Sequence, residues 1–323
     1  MPSPALQAVG LRKSYPGAAG ADPVQALDDL TFEASRGSVL GMLGPNGAGK
    51  STTVKILATL SRADGGTARV EGIDVAQDPA AVRRRIGLVS QRPSSDPMAT
   101  GRENLVLAGR LHGLNRVDAG DRATRLLARF DLTDAADRLV RTWSGGMSRK
   151  LDVAIGLVNR PALLFLDEPT TGLDPEARAE LWAEIARLTR EDETTVLLTT
   201  HYLDEADRLA DVVSIVDHGR VRVQGSPDAL KAELRGDTIT VGLATAPDPA
   251  TALARVQSVA GVFEVSLDDG TLRARAEAGA RAVPLILAAL DGSGAEVASA
   301  TVARPTLDDV YLRHVGRSFE AVA

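Results

Sequence analysis

Two hydrophobic rhythms alternate along the first two thirds of the chain. Short unbroken apolar runs, "GSVLGML" (37–43), "ALLFLDEP" (162–169) and "TTVLLTT" (194–200), read as strands covered on both faces. Helical spacing follows them. In "STTVKILATL" (51–60), Val54, Leu57 and Ala58 share one face; in the segment opening at Ser144, Leu151, Ala154, Ile155 and Val158 do so until Pro161 marks its end. Between Gln91 and Trp143 the chain is rich in Arg and Leu and predicts a helical region, about 92–160, carried by "ENLVLAGRLHGL" and "RATRLLARFDL".

After "KAELRGD" the rhythm changes. Residues 238–302 predict strand, helix, strand, an Asp269-Gly270 turn, strand, helix and strand, followed by a short helix in "TLDDVYLRHVG". That β-α-β-β-α-β order is the split, ferredoxin-like unit. Its expected apolar positions include Val241, Leu253, Val256, Phe263, Leu285 and Leu287. A chain of 323 residues also favours two domains over one. The expected division is 1–235 and 236–323, an α/β domain followed by a small α+β domain.

Composition narrows the possibilities. A net charge of −6 argues against a nucleic-acid binder working through a basic face. With no cysteine there is neither a disulfide nor a thiolate metal site, which fits a reducing compartment. The N-terminal segment has no secretory pattern, and the apolar runs fall far below the ~18 residues that span a bilayer. Any membrane span must therefore come from another chain.

The chemistry starts at residues 44–51, where Gly44, Pro45, Asn46, Gly47, Ala48, Gly49, Lys50 and Ser51 complete G-x-x-x-x-G-K-[ST] between a strand and a helix. Glycines let successive backbone N–H groups turn toward phosphate oxygens, and the helix N-terminus adds partial positive charge. Lys50 is expected to reach the β and γ phosphates, Ser51 to offer a hydroxyl to Mg²⁺, and Thr52 to complete the cradle. A strand ending in acids should supply the other half. Asp167 can hold Mg²⁺, directly or through water, and Glu168, one residue on and across the pleat, can deprotonate the attacking water. Guanine specificity is disfavoured: the lone Lys-x-Asp, Lys150-Leu151-Asp152, follows Arg149 rather than Asn and lies inside a predicted helix.

Ser144, Gly145 and Gly146 open the helix of "TWSGGMSRKLDVAIGLVNRPALLFLDEPTTGLDP" (142–175). Such a start is either a simple N-cap or a second anion site. In this order the motifs resemble the ATP-binding subunits of ABC transporters over roughly residues 6–232. "WSGGM" is similar to the family signature Leu-Ser-Gly-Gly-Gln, departing from it at Trp143 and Met147. The resemblance implies ATP and Mg²⁺ as cofactors and a P-loop ABC fold with a helical subdomain. It also assigns positions: Tyr15 in "RKSYPG" stacking on adenine, Gln91 sensing Mg²⁺ and the γ phosphate, Asp174 in the loop that crosses a dimer interface, and His201 contacting the γ phosphate. Of the four histidines, His201 alone ends a buried strand beside the cradle.

Within the family this chain is most similar to the daunorubicin-resistance type of exporter ATPase, on "WSGGM", "TTHYLDEADRLADVVSIVDHGRVRVQGSPDAL" and "RPTLDDVYLRHVG". That implies a homodimer closing around two ATP molecules, with Ser144-Gly145-Gly146 of one copy facing the cradle of the other. It further implies a separate membrane permease docking near Gln91 and "RPSSDPMATGRENL", and a peripheral location on the cytoplasmic face of the cell membrane, with no nucleic-acid partner. Competing readings are a soluble ABC-type ATPase without a membrane partner, and the ATPase of an importer. The tail is expected to support packing or dimerisation rather than to sense a ligand.

Overall fold

The computed structural model describes residues 3–17, 22–246 and 248–316. The chain divides into two compact units, one ending at Pro227 and one starting at Asp228. The division falls ahead of the expected 235. One reason is that the Arg275 guanidinium, inside the second unit, holds the carbonyls of Arg235 and Gly236 at 2.9–3.0 Å, so the segment before the tail's first strand belongs to it.

The first unit contains two sheets. In the antiparallel one, β1 (Leu6–Tyr15), β2 (Val24–Ala34), β4 (Gly65–Val70) and β5 (Ile73–Asp74) lie in the order β2-β1-β4-β5. Between β2 and β4 the chain forms β3 (Val39–Leu43) and helix α1 (Lys50–Leu57). Leu27, Leu30 and Phe32 of β2 and Leu6 and Leu11 of β1 share one core with Val54, Ile56 and Leu57 of α1 and Phe165.

The larger sheet orders β10 (Arg220–Gly225), β9 (Val212–Asp217), β3, β8 (Thr195–Thr200), β7 (Leu163–Asp167) and β6 (Ile86–Val89), parallel except for β10. Every residue of β3, β7 and β8 is buried, which explains their unalternating apolar sequences. Helix α2 (Pro79–Arg83) precedes β6. The helical region follows as α3 (Gly101–Leu111), α4 (Arg116–Arg129) and α5 (Gly145–Gly156); α6 (Pro175–Asp192) and α7 (Leu203–Leu209) flank β8. Open parallel sheets bind ligands beyond the carboxyl ends of their strands. Here those ends carry Leu43, Val89, Asp167 and Thr200.

Helix α8 (Pro227–Ala232) leads into the second unit. Its elements are β11 (Asp237–Thr245), α9 (Pro249–Gln257), β12 (Val262–Asp268), β13 (Thr271–Ala276), α10 (Gly279–Asp291), β14 (Glu296–Ala303) and α11 (Leu307–Val315). All pairings are antiparallel in the order β12-β13-β11-β14, the ferredoxin-like arrangement. Asp269 and Gly270 both have positive φ (42° and 73°), as the tight β12–β13 hairpin requires. Val241 and Val256 are core residues, but Leu285 is 53% exposed. The buried face of α10 is set by Ala282, Ile286 and Leu290, which puts Leu285 outside that stripe.

Candidate active site

Beyond β3 the chain wraps through residues 44–49 into α1. A Cβ on Gly44 would lie 2.3 Å from the Val216 carbonyl oxygen, and one on Gly49 would lie 2.6 Å from that of Ala26. Gly49 also has φ 108° and caps α1 without a side-chain acceptor. Backbone crowding and handedness thus both demand glycine there. The resulting loop leaves the first N–H groups of α1 without a side-chain cap, the arrangement that suits an anion. Asn46 is exposed on this loop, and Ser51 and Thr52 are half-buried on the first turn.

Lys50 is only 4% exposed. Its Nζ donates to the Gly44 carbonyl at 2.7 Å and that of Pro45 at 3.2 Å, and lies 3.4 Å from Glu168 Oε1. Burial pushes the Lys50 pKa below its ordinary value; the neighbouring Glu168 opposes that shift. Ser51 Oγ donates to Asp167 Oδ1 at 3.1 Å, and Thr199 Oγ1 donates to the same oxygen at 2.5 Å.

Asp167 ends β7, and strict alternation would send Glu168 to the opposite face. The expectation that Glu168 stays in the pleat is not met: its φ is 49°, left-handed. This turn lets Asp167 meet Ser51 while Glu168 meets Lys50, so both carboxylates serve one cradle. A non-glycine residue in that conformation costs about 1–2 kcal/mol. Two hydrogen bonds from the Glu168 N–H, to the Thr199 carbonyl and hydroxyl at 3.1 Å each, hold it.

Around the Glu168 carboxylate, Gln91 Nε2 donates to Oε2 at 3.3 Å, and His201 Nδ1 lies 3.3 Å from the same oxygen without hydrogen-bond geometry. His201 follows the end of β8, and Gln91 lies two residues beyond the end of β6. Of the other histidines, His218 contacts Asp217 and His314 contacts Glu233. Lys50, Ser51, Gln91, Asp167, Glu168 and His201 thus form one cluster beyond the strand ends.

Arg149 is a residue the motif reading had used only to argue against guanine. Buried on α5, it donates through Nε to the Pro169 carbonyl at 2.7 Å and through Nη1 to that of Ser90 at 2.8 Å. Nη2 reaches the Glu168 and Asp167 carbonyls at 3.3 and 3.4 Å. One guanidinium therefore ties the segment carrying Gln91 to the one carrying both acids. Burial lowers its pKa, with Asp152 and Asp167 opposing. Nothing in the linear sequence pairs it with those carbonyls.

Ser144 caps α5, its Oγ accepting from Met147 N at 3.2 Å, so within one chain it acts as a simple cap. Ser144 and Gly145 are exposed. Asp174 caps α6, accepting from Ala177 N at 2.9 Å, and a Cβ on Gly146 would come within 2.9 Å of the Ala177 side chain. Gly146 and the Asp174 turn therefore adjoin each other, while no hydrogen bond or ion pair among the described residues joins either to Lys50 or Glu168. Tyr15, half-buried, ends β1 opposite Val24; the following β2 residues Ala26 and Leu27 press against Gly49, which brings the tyrosine's strand end toward the cradle rim.

Known proteins match this arrangement. A family model described as ABC transporter matches residues 27–171, and one for the C-terminal domain of DrrA1-3-like ATP-binding proteins matches residues 225–315. Daunorubicin/doxorubicin resistance ATP-binding protein DrrA of Streptomyces peucetius is 46% identical over 98% of this chain and 93% of its own length. The chain belongs to the family of ABC-transporter ATP-binding proteins of the daunorubicin-resistance type.

Linearmycin resistance ATP-binding protein LnrL of Bacillus subtilis (strain 168) is 32% identical over 97% of this chain and 99% of that protein. Among solved structures, an ATP-binding subunit of an ABC transporter aligns with TM-score 0.60 at 31% identity, covering 71% of this chain and 92% of that one. The dimeric ATP-binding cassette MJ0796 bound to ADP and Pi shares the fold, with TM-score 0.63 at 24% identity over 68% of this chain and 98% of its own. As an ABC cassette, the first unit binds nucleotide and is an ATPase of the class that drives transport. No helix among the described residues is long and apolar enough to cross a membrane.

Proposed function

We infer that the chain is the ATP-hydrolysing subunit of an exporter, working as a homodimer beneath a separate membrane permease. The observation that carries this reading is the split between the two anion-binding features. Lys50, Ser51, Gln91, Asp167, Glu168 and His201 converge on one cradle, whereas Ser144 and Gly145 stand exposed, with Gly146 half-buried, at another helix start. A second copy can bring its Ser144-Gly145-Gly146, with the adjoining Asp174 turn, to the open side of the γ phosphate. ATP then binds the closed dimer more tightly than the open one and drives closure by that difference.

In this mechanism the Gly47 and Gly49 loop and the α1 N-terminus cradle the phosphates, Tyr15 stacks on the base, and Lys50 moves from Glu168 to the β and γ phosphates. Ser51 and Asp167, two hard-oxygen donors already 3.1 Å apart, fit a Mg²⁺ site that borrows its remaining ligands from phosphate and water. The ion, when bound, offsets charge on the transferring phosphoryl group. Glu168 takes the proton of the attacking water, and Gln91 and His201, both beside its carboxylate, orient water and γ phosphate. Loss of the γ phosphate removes the contacts that hold the dimer shut.

Met98, Leu107 and Leu111 are 64%, 57% and 80% exposed on the segment after Gln91 and on α3, an apolar surface suited to a permease element. Docking there places the protein peripherally at the cytoplasmic face of the membrane. The resistance relatives make a drug or another secondary metabolite the best-supported cargo, and the second unit supports assembly. Glu168→Gln tests the core of the reading. It should keep nucleotide binding, slow hydrolysis by about 10²–10⁴, and accumulate an ATP-dependent dimer seen by sedimentation. Near wild-type turnover in this variant would remove Glu168 as the base.

A further inference from the structure

A cavity of about 420 Å³ between α4, the end of α5 and the starts of β7 and β8 is lined by Arg122, Arg125, Arg129, Arg160, Asp192 and Thr194, among others. Four arginines and a single carboxylate, Asp192, line it. Pro161 and Thr194, also at its wall, precede β7 and β8, so the cavity lies at the opposite end of the strands from Asp167 and Thr200. The four rises of ~3.3 Å from Leu163 to Asp167 along β7 put roughly 13 Å between the two ends. It is not part of the nucleotide site.

Some of this positive charge already has work. Arg122 donates to the Leu157 and Val158 carbonyls at 2.6 and 3.2 Å, closing the C-terminus of α5. Arg129 pairs with Glu184 and Asp192, yet its Nη2 is buried with no partner. The exposed Arg125 and Arg160 guanidiniums make no hydrogen bond or ion pair with any described residue, although the Arg160 N–H donates to the Leu157 carbonyl at 3.1 Å. Arg160 also holds a left-handed φ of 52°, where asparagine or glycine is the easier choice. Crowding is visible in Arg122, whose pKa burial lowers to about 10, with Arg160, Arg125 and Arg129 adding to the shift. Like charges gathered in a concave site and left partly unpaired cost stability unless an anion joins them.

We propose that this cavity is a binding site for a ligand carrying two or more phosphate groups, held by Arg125 and Arg160, with Arg122 and Arg129 adding positive charge at its wall. Its volume falls in the ~300–1,000 Å³ range of small-molecule sites, more than a single inorganic ion occupies. Guanidinium forks favour phosphate oxygens over simple halides. A soluble polyphosphorylated metabolite and the two glycerol-bridged phosphodiesters of a cardiolipin-type headgroup share this chemistry.

The test uses the full chain with saturating ADP, so that the Lys50 cradle is occupied, and titrates inorganic pyrophosphate by calorimetry. The variant is Arg125→Gln/Arg160→Asn. Gln keeps helix propensity on α4, and Asn suits the left-handed turn, so the variant should fold at least as well as wild type without ligand. Pyrophosphate affinity should fall by about 10- to 100-fold for each charged donor lost, while ADP affinity and basal hydrolysis stay unchanged. Asp192→Asn should tighten pyrophosphate binding, a gain that a merely structural cluster would not give.

Flotation with cardiolipin and phosphatidylcholine vesicles separates the sources. Cardiolipin-selective binding that is lost in the double variant and displaced by pyrophosphate supports the site with a lipid as its ligand. Arginine-dependent pyrophosphate binding without vesicle binding supports it with a soluble one. Pyrophosphate binding that is undetectable in wild type, or equal in wild type and double variant, overturns the proposal.

Discussion

Replacing Arg149 by methionine removes a guanidinium while keeping an unbranched chain on α5. Two short bonds disappear, to Pro169 and Ser90 carbonyls at 2.7 and 2.8 Å, and two long ones with them. Each charge-assisted bond contributes about 1.5–3 kcal/mol, so the two short ones together are worth roughly 3–6 kcal/mol. Burial of the cation works against this, as its lowered pKa records. A net loss of about 2–4 kcal/mol is the expected balance. For a unit of this size, each kcal/mol moves Tm by about 2–4 °C, giving a fall of roughly 5–15 °C.

Catalysis should suffer separately. The Ser90 carbonyl immediately precedes Gln91, and the Glu168 carbonyl belongs to the proposed base, so Arg149 fixes the spacing of two groups around the water. A displacement near 1 Å at such a site costs about 10²-fold in rate. At a temperature where the variant is fully folded by circular dichroism, kcat should drop by that order while ATP binding to the Lys50 cradle changes little. Arg149→Lys should recover only part of both losses, since one ammonium cannot span carbonyls on two segments as the planar fork does. Unchanged Tm together with unchanged kcat in Arg149→Met would refute the tie between the strand ends.

Ser144→Arg should abolish hydrolysis while sparing nucleotide affinity, and Lys50→Ala should weaken affinity itself. Mixed heterodimers should regain activity because one site pairs an intact cradle with an intact signature, whereas no recovery on mixing, with Ser144→Arg alone losing affinity, would indicate a site built within one chain. Glu205 is fully buried, with Oε1 accepting from Trp182 Nε1 at 3.0 Å, and burial raises its pKa above 4.5. A raised carboxyl contributes fully below 4.5 and loses that contribution as pH rises through the folded value. Glu205→Gln should therefore gain stability over wild type as pH climbs from 4.5 to 8 in urea titrations; parallel curves would show that Glu205 does not titrate in this range.

What could be read from the chain, and what could not, divides along a physical line. Gly44, Gly49, Asp269 and Gly270 were legible because local backbone geometry dictates residue type, and β3, β7 and β8 because burial on both faces leaves an unbroken apolar run. Glu168 was legible as an acid at a strand end but not as a left-handed residue, since its φ is held by Thr199 on another strand. Arg149 was hidden for the same reason: its partners are carbonyls, which every residue carries, on segments 18–20 and 59 positions away. Leu285 was misplaced because a one-residue rotation on α10 exchanges it for Ile286, a choice made by packing rather than by composition.

These hidden groups share a role. Thr199 and Arg149 do not bear on phosphate; they hold backbone at the ends of β6 and β7, and β8 supplies the third anchor. Motifs name the groups that meet the nucleotide, while spacing between motifs on different strands is set by side chains that donate to main chain. The departures Trp143 and Met147 in the signature are consistent with this division. Ser144 Oγ uses the Met147 N–H, which any residue at 147 supplies, and Trp143 is buried with its ring against Gly101, where a Cβ would meet it at 2.3 Å. A tryptophan there demands glycine at the start of α3. Gly101→Ala should therefore disturb the entry to α5 and with it Ser144, lowering hydrolysis without lowering ATP affinity, and pairing it with Trp143→Leu should restore the rate.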